Sequence, residues 1–219
     1  KEYRRQRQMC IRDRHQTFND IIGSEHSFGI ITGPSFAQEV ADNLPTALLI
    51  ASHDSDFAQA MADLLRSKTL AISLSNDVVG AAIVGIIKNV TAIAVGIADG
   101  LSLGANARSV VLTKGFIEML NLTVALGGQA DTCTGIAGIG DLVLTCHSDL
   151  SRNRRFGLSV GSGHDLAAPG VLVEGVANVG LINTLARQLH IATPVCQAVY
   201  DIVQQRFAPR EVMQGLLEG

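Results

Sequence analysis

Hydrophobic and polar positions fall into two regimes along the chain. Up to about residue 77, short apolar runs alternate with amphipathic stretches. Residues 28–32 (FGIIT) and 46–51 (TALLIA) read as strands, because short apolar, β-branched runs bounded by turn residues suit a pleated surface. The first ends in Gly33-Pro34-Ser35, where Pro34 steers Gly33 away from helix and itself suits a helix start. A short helix is expected over 36–41. Asp54 is a ready N-cap for a helix over 54–65, in which Phe57, Met61, Leu64 and Leu65 recur at helical spacing. Residues 69–74 (TLAISL) give a third strand, and Ser75-Asn76-Asp77 lead into a long helix.

Beyond Asp77 the pattern predicts no strand. Helices are expected over 78–97, 105–126, 131–134, 138–144, 151–159, 176–189, 193–205 and 211–217, with glycines gathered in the connections. Thr193-Pro194 supply the cap and first helical residue of the penultimate one. The organisation is strand–helix–strand material followed by an all-α domain, with no tandem repeat at solenoid periods.

Composition narrows the classes. Of 219 residues, 47% are hydrophobic and 17% charged, and the mean hydropathy is +0.28, which buries a core and excludes a disordered chain. With 22 Gly and 5 Pro, collagen-like and Pro-rich classes are excluded too. An aromatic content of 4% without Trp argues against base-stacking platforms for single-stranded nucleic acid. Cys10, Cys133, Cys146 and Cys196 form no C-x-x-C pair and read as reduced thiols of a cytosolic protein.

Charge is uneven. Residues 1–14 carry six basic side chains against Glu2 and Asp13, leaving an acidic remainder within a net charge of −3. The arm over 1–15 is expected to be non-native or disordered, and the acidic remainder gives no support to a nucleic-acid partner. Residues 78–95 (VVGAAIVGIIKNVTAIAV) are long and apolar enough to span a bilayer. Lys88 and Asn89 sit at their middle, however, where a charge costs about 2.5–3.5 kcal/mol. A buried helix of a soluble bundle is the better reading.

Three clusters could carry chemistry. Lys88-Asn89 places an ammonium among apolar turns, where lost hydration favours a proton donor or acceptor; the alternatives are snorkelling or pairing with a buried acid. In Gly138-Ile-Gly140-Asp141-Leu-Val-Leu-Thr145, an acceptor and a hydroxyl share a helix face and suit a polyol, or Asp141 simply caps a helix. Ser151-Arg152-Asn153-Arg154-Arg155 offers guanidinium forks at a helix start, an anion site or a solvated basic turn. No metal-ligating cluster stands out. No G-x-G-x-x-G opens a helix in these residues, and there is no G-x-x-x-x-G-K-[ST].

Taken in order, GPSFAQE (33–39), VGIIKNVTAIAVG (84–96), DGLSLGANAR (99–108), GIGDLVLT (138–145), SRNRRFG (151–157) and VEG (173–175) closely resemble bacterial NAD(P)-dependent glycerol-3-phosphate dehydrogenase. The resemblance implies a mainly α chain: a helical substrate-binding and catalytic domain over 78–219, preceded over 16–77 by the last strand–helix–strand part of a Rossmann-type α/β domain. Position by position, it makes Lys88 the catalytic proton acceptor. Gly33, Ser35, Asn89, Asp141, Thr145, Ser151, Arg152 and Asn153 fall at the substrate, and Ala37, Arg152, Leu172 and Glu174 at the cofactor. Leu172 replaces the usual Val, Ala81 and Ala82 stand where relatives often carry Gln or Glu, and an upstream family lysine has no counterpart.

The implied reaction is hydride transfer between NAD or NADP (NADPH being favoured by the resemblance) and the pair glycerol 3-phosphate and dihydroxyacetone phosphate. It supplies a glycerophospholipid precursor in the cytoplasm, in a family with dimeric precedent. The 219 residues alone are expected to be inactive, because they hold no dinucleotide fingerprint. Two other readings stand beside this one: a 3-hydroxyacid or ketopantoate-type dehydrogenase of the same architecture, and a non-catalytic helical dimerisation domain.

Overall fold

The computed structural model describes residues 26–164 and 173–218; the basic arm and Leu172 lie outside them. Strand β1 (Ile30–Thr32), a short helix α1 (Ala37–Ala41), β2 (Thr46–Ala51), α2 (Ser55–Leu65) and β3 (Leu70–Ser75) come first. The three strands form one sheet in the order β1-β2-β3. β2 and β3 run parallel, joined through α2, with Leu48 opposite Ile72, whereas β1 is antiparallel to β2, with Ile31 opposite Ile50. Asp54 caps α2 as expected, its carboxylate accepting the N–H groups of Asp56 and Phe57 at 3.0 Å each. Ala58 and Ala62 of α2 pack on Ile50.

Among the described residues, every element after β3 is helical: α3 (Val78–Gly100), α4 (Gly104–Ala125), α5 (Ala130–Thr134), a π-helical turn (Ile136–Gly140), α6 (Asp141–His147), α7 (Arg152–Gly161), α8 (Glu174–Leu189), α9 (Pro194–Val203) and α10 (Pro209–Glu218). Helix α3 is the axis of this domain. By length and hydropathy it could cross a membrane, but 72% of its most apolar window is buried against its neighbours. Asp77 starts it and also ties it down: one carboxylate oxygen accepts Gly80 N–H, and the other accepts Gln129 N–H and Thr132 Oγ1 at the start of α5.

Helices α3 and α7 touch backbone to backbone. A Cβ on Gly157 would lie 2.1 Å from Ile93 O, one on Gly96 2.1 Å from Arg154 O, and one on Gly161 2.3 Å from Ile97 O. Contacts advance in step along both helices, Ile93 with Gly157 and Ile97 with Gly161, so the two run in the same direction. Their N-terminal halves therefore bring Lys88-Asn89 beside Arg152-Asn153.

Three expectations need correction. The helix expected over 138–144 is a π turn followed by α-helix from Asp141, because Gly138 is pressed against the Cys133 backbone (2.0 Å from Cβ to Cys133 O). Thr193 starts α9 without a side-chain capping bond. That end is held instead by Glu118 of α4, which accepts Val195 N–H at 2.5 Å and Cys196 N–H at 3.0 Å. Finally, SRNRR is not a uniform basic turn: Arg154 is buried on Asp99 and Asp149, and Arg108 reaches the same Asp99.

Candidate active site

A cleft of about 1370 Å³ opens between the sheet and the helical domain. Its walls bring together every described residue expected at substrate or cofactor: Gly33, Ser35, Ala37, Lys88, Asn89, Asp141, Thr145, Ser151, Arg152, Asn153 and Glu174. Of the expected set, Leu172 alone falls outside the described residues.

Asp141 is the hub. It is 2% exposed and, as the first residue of α6, caps nothing with its side chain. One carboxylate oxygen receives Lys88 Nζ from α3, and the other receives Thr145 Oγ1 at 3.1 Å, one turn on. The N–H of Gly33, in the loop after β1, faces the same carboxylate and favours its charged form. Burial pushes the Asp141 carboxyl above its ordinary value, and these donors, Lys88 foremost, pull it back. Lys88 thus neither snorkels nor stands alone; it meets a buried acid while keeping 20% of its side chain exposed to the cleft. Gly33 has φ +141°, and a Cβ there would lie 3.0 Å from Ala47 O, so glycine lets this loop turn closely against β2.

On the other wall, Ser151 caps α7, its Oγ accepting Arg154 N–H at 3.2 Å. The first-turn N–H groups of Arg152 and Asn153 have no preceding turn to accept them. Arg152 and Arg155 line the cleft and are exposed, one helical turn apart and on one side. Asn153 Nδ2 donates to Asn89 Oδ1 at 2.9 Å, and its Oδ1 accepts Gly175 N–H at 3.0 Å. Asn89 Nδ2 donates to Gly85 O at 3.1 Å and to Glu174 Oε2 at 3.0 Å. Ser35 Oγ is turned back onto Gly33 O at 3.1 Å. Arg155 was named in the SRNRR run but not assigned to the site; the signal for it was its i+3 spacing from Arg152.

This arrangement can anchor an anion at the start of α7 and move a proton at Lys88. Residues 77–214 match the NAD-dependent glycerol-3-phosphate dehydrogenase C-terminus, and residues 9–58 match the N-terminus of the same family. The chain belongs to the NAD-dependent glycerol-3-phosphate dehydrogenase family.

It is 44% identical over 207 residues to the glycerol-3-phosphate dehydrogenase [NAD(P)+] of Nitrosomonas eutropha, an alignment covering 93% of this chain and 63% of that one. It is 42% identical to that of Paucimonas lemoignei over 93% of this chain and 62% of the relative. A crystal structure of glycerol-3-phosphate dehydrogenase from Coxiella burnetii superposes with a TM-score of 0.89 at 40% identity, over 94% of this chain and 64% of that chain. The chain thus spans somewhat less than two thirds of these relatives.

Proposed function

We propose that this chain forms the substrate-binding and catalytic part of an enzyme interconverting sn-glycerol 3-phosphate and dihydroxyacetone phosphate with NAD or NADP. The observation that carries the reading is one cleft holding both the Lys88–Asp141 pair and Arg152, whose guanidinium has no ion pair among the described residues, at the N-terminus of α7. A nicotinamide, when bound, supplies the two-electron redox chemistry. The residues present suit its reactive end: Ala81, Ala82 and Gly85 line the cleft on the turns before Lys88, and nothing lies within 4 Å of a Cβ built on Gly85. Ala37, Arg152 and Glu174 would hold it from the two walls.

In the oxidation direction Lys88 Nζ takes the proton of the C2 hydroxyl; in reduction its ammonium, steadied by Asp141, donates to the ketone oxygen. Asp141 and Thr145 orient the polyol end. Arg152, Asn153 and the first-turn N–H groups of α7 bind the phosphate dianion, so that binding energy far from C2 aligns the reacting carbon. A helix N-terminus flanked by two guanidinium groups would hold a carboxylate as well; what favours the phosphorylated polyol over the carboxylate-directed alternative is the match to glycerol-3-phosphate dehydrogenases.

A cytoplasmic location accords with the free, buried thiols of Cys133, Cys146 and Cys196. For the homodimer, a supporting feature is the exposed row Val110, Ile117 and Val124, spaced at sevens along α4.

The test is ligand binding by calorimetry. Glycerol 3-phosphate should bind the chain, and Arg152→Ala should weaken it about 10- to 150-fold, the worth of a charge-assisted bidentate contact. Affinity for glycerol should change little. Equal losses on both ligands would remove the phosphate role from Arg152.

A further inference from the structure

Asn89 and Asn153 belong to a closed ring of hydrogen bonds. Gly175 N–H donates to Asn153 Oδ1, Asn153 Nδ2 donates to Asn89 Oδ1, and Asn89 Nδ2 donates to Glu174 Oε2. Glu174 and Gly175 are consecutive, so the ring closes through the first turn of α8. Both asparagines are buried, at 6% and 8% exposure.

Backbone groups fix its direction. Gly175 N–H can only donate and Gly85 C=O can only accept. With one at each end, neither amide can be flipped without setting two donors or two acceptors against each other. Asn153 is therefore held with its NH2 toward Asn89, and one of its two N–H donors is left over. Asn89 has no donor left: its two N–H groups are taken by Gly85 O and Glu174 Oε2, and its oxygen already receives Asn153. Gly175 is pressed onto the same turn, where a Cβ would lie 2.8 Å from Asn89 O.

We infer that Asn89 is a positioning residue and not a substrate ligand: together with Glu174 it locks the Asn153 amide so that an N–H, never a carbonyl, faces the phosphate. The inference rests on the phosphate reading of the α7 N-terminus. It departs from the direct substrate contact that the family resemblance assigns to Asn89. It also gives Glu174 a task on the substrate side of the cleft, independent of any cofactor.

A double-mutant cycle tests it by calorimetry with glycerol 3-phosphate on the 219-residue chain, with no cofactor added. Asn153→Ala should weaken binding about tenfold or more, the value of one hydrogen bond to a charged group. Asn89→Ala should weaken it in the wild-type background yet cost nothing further once Asn153 is Ala, since residues acting as one unit are non-additive. Glu174→Ala should show the same dependence on Asn153, and Glu174→Gln, whose Oε1 can still accept from Asn89, should recover most of the loss. Losses that multiply in N89A/N153A would place Asn89 on the substrate and overturn the proposal. An Asn153→Ala variant that binds as wild type does would overturn the phosphate reading itself, a separate result. If Asn89→Ala fails to fold, the Glu174 arm carries the same comparison.

Discussion

Asp141 meets Lys88 across 53 residues of chain, and it does so from a position where three separate elements converge. The ammonium comes from α3, the Thr145 hydroxyl from the same helix as Asp141, and the Gly33 N–H from the loop that follows β1. A proton-transferring lysine needs a fixed direction as much as a suitable charge, and a carboxylate with its own donors in place supplies one. The pairing also ties α3 to α6 within the helical domain.

Lys88→Ala is expected to lower kcat by about 10²–10⁴, the usual worth of a positioned acid–base group. The measurement needs the chain joined at its N-terminus to the nucleotide-binding segment of the Coxiella burnetii relative. Lys88→Arg should not restore activity, because a guanidinium holds its proton. A kcat near wild type in either variant would take Lys88 out of the mechanism. Since Lys88→Ala strands a buried carboxylate, its melting temperature should fall, and adding Asp141→Ala should recover part of that fall without recovering kcat.

Gly157 is expected to tolerate no side chain. The clash of a new Cβ with Ile93 O at 2.1 Å is with backbone, so neither helix can relieve it by a rotamer change, and overpacking costs at least about 1–3 kcal/mol. Gly157→Ala should lower the unfolding midpoint in urea, and it should also weaken glycerol 3-phosphate binding, because moving α7 away from α3 separates Asn153 from Asn89. Gly215→Ala, where a Cβ meets nothing within 4 Å, is the control and should do neither. Unchanged stability in Gly157→Ala would refute the close approach of α3 and α7.

Much of this was legible in the sequence. Periodicity located the three strands and nearly every helix, because the apolar spacing that makes an element also buries it. Lys88 stood out as a charge in an apolar helix, and Arg152 as a fork at a helix start. What pattern could not show was partnership over distance. Nothing near Lys88 points to Asp141, and nothing near Thr193 points to Glu118, since such pairs are made by packing. The SRNRR run shows the same limit within five residues: Arg152 and Arg155 face the cleft while Arg154 is spent on Asp99 and Asp149. The π turn before Asp141 also escaped, because its cause is the Cys133 backbone lying against Gly138.

Glu118 makes stability depend on pH in an unusual direction. The carboxyl is 2% exposed, and burial pushes it up to about 7 from 4.5, although Val195 and Cys196 N–H and the nearby Lys114 all favour its charged form. Between those two values the folded chain binds more protons at this site than the unfolded chain does. The contribution is therefore fully present below pH 4.5 and is lost as pH rises through about 7. The gap corresponds to about 3 kcal/mol for a group so deeply buried. Glu118→Gln cannot titrate, so the difference in unfolding free energy between wild type and variant should narrow by that order from pH 4.5 to pH 8. Chemical denaturation of both proteins across this range measures it, and the difference cancels the titration of every other group. Parallel stability curves for the two proteins would show that Glu118 takes up protons alike in the folded and unfolded chains, the N–H groups of α9 cancelling the effect of its burial.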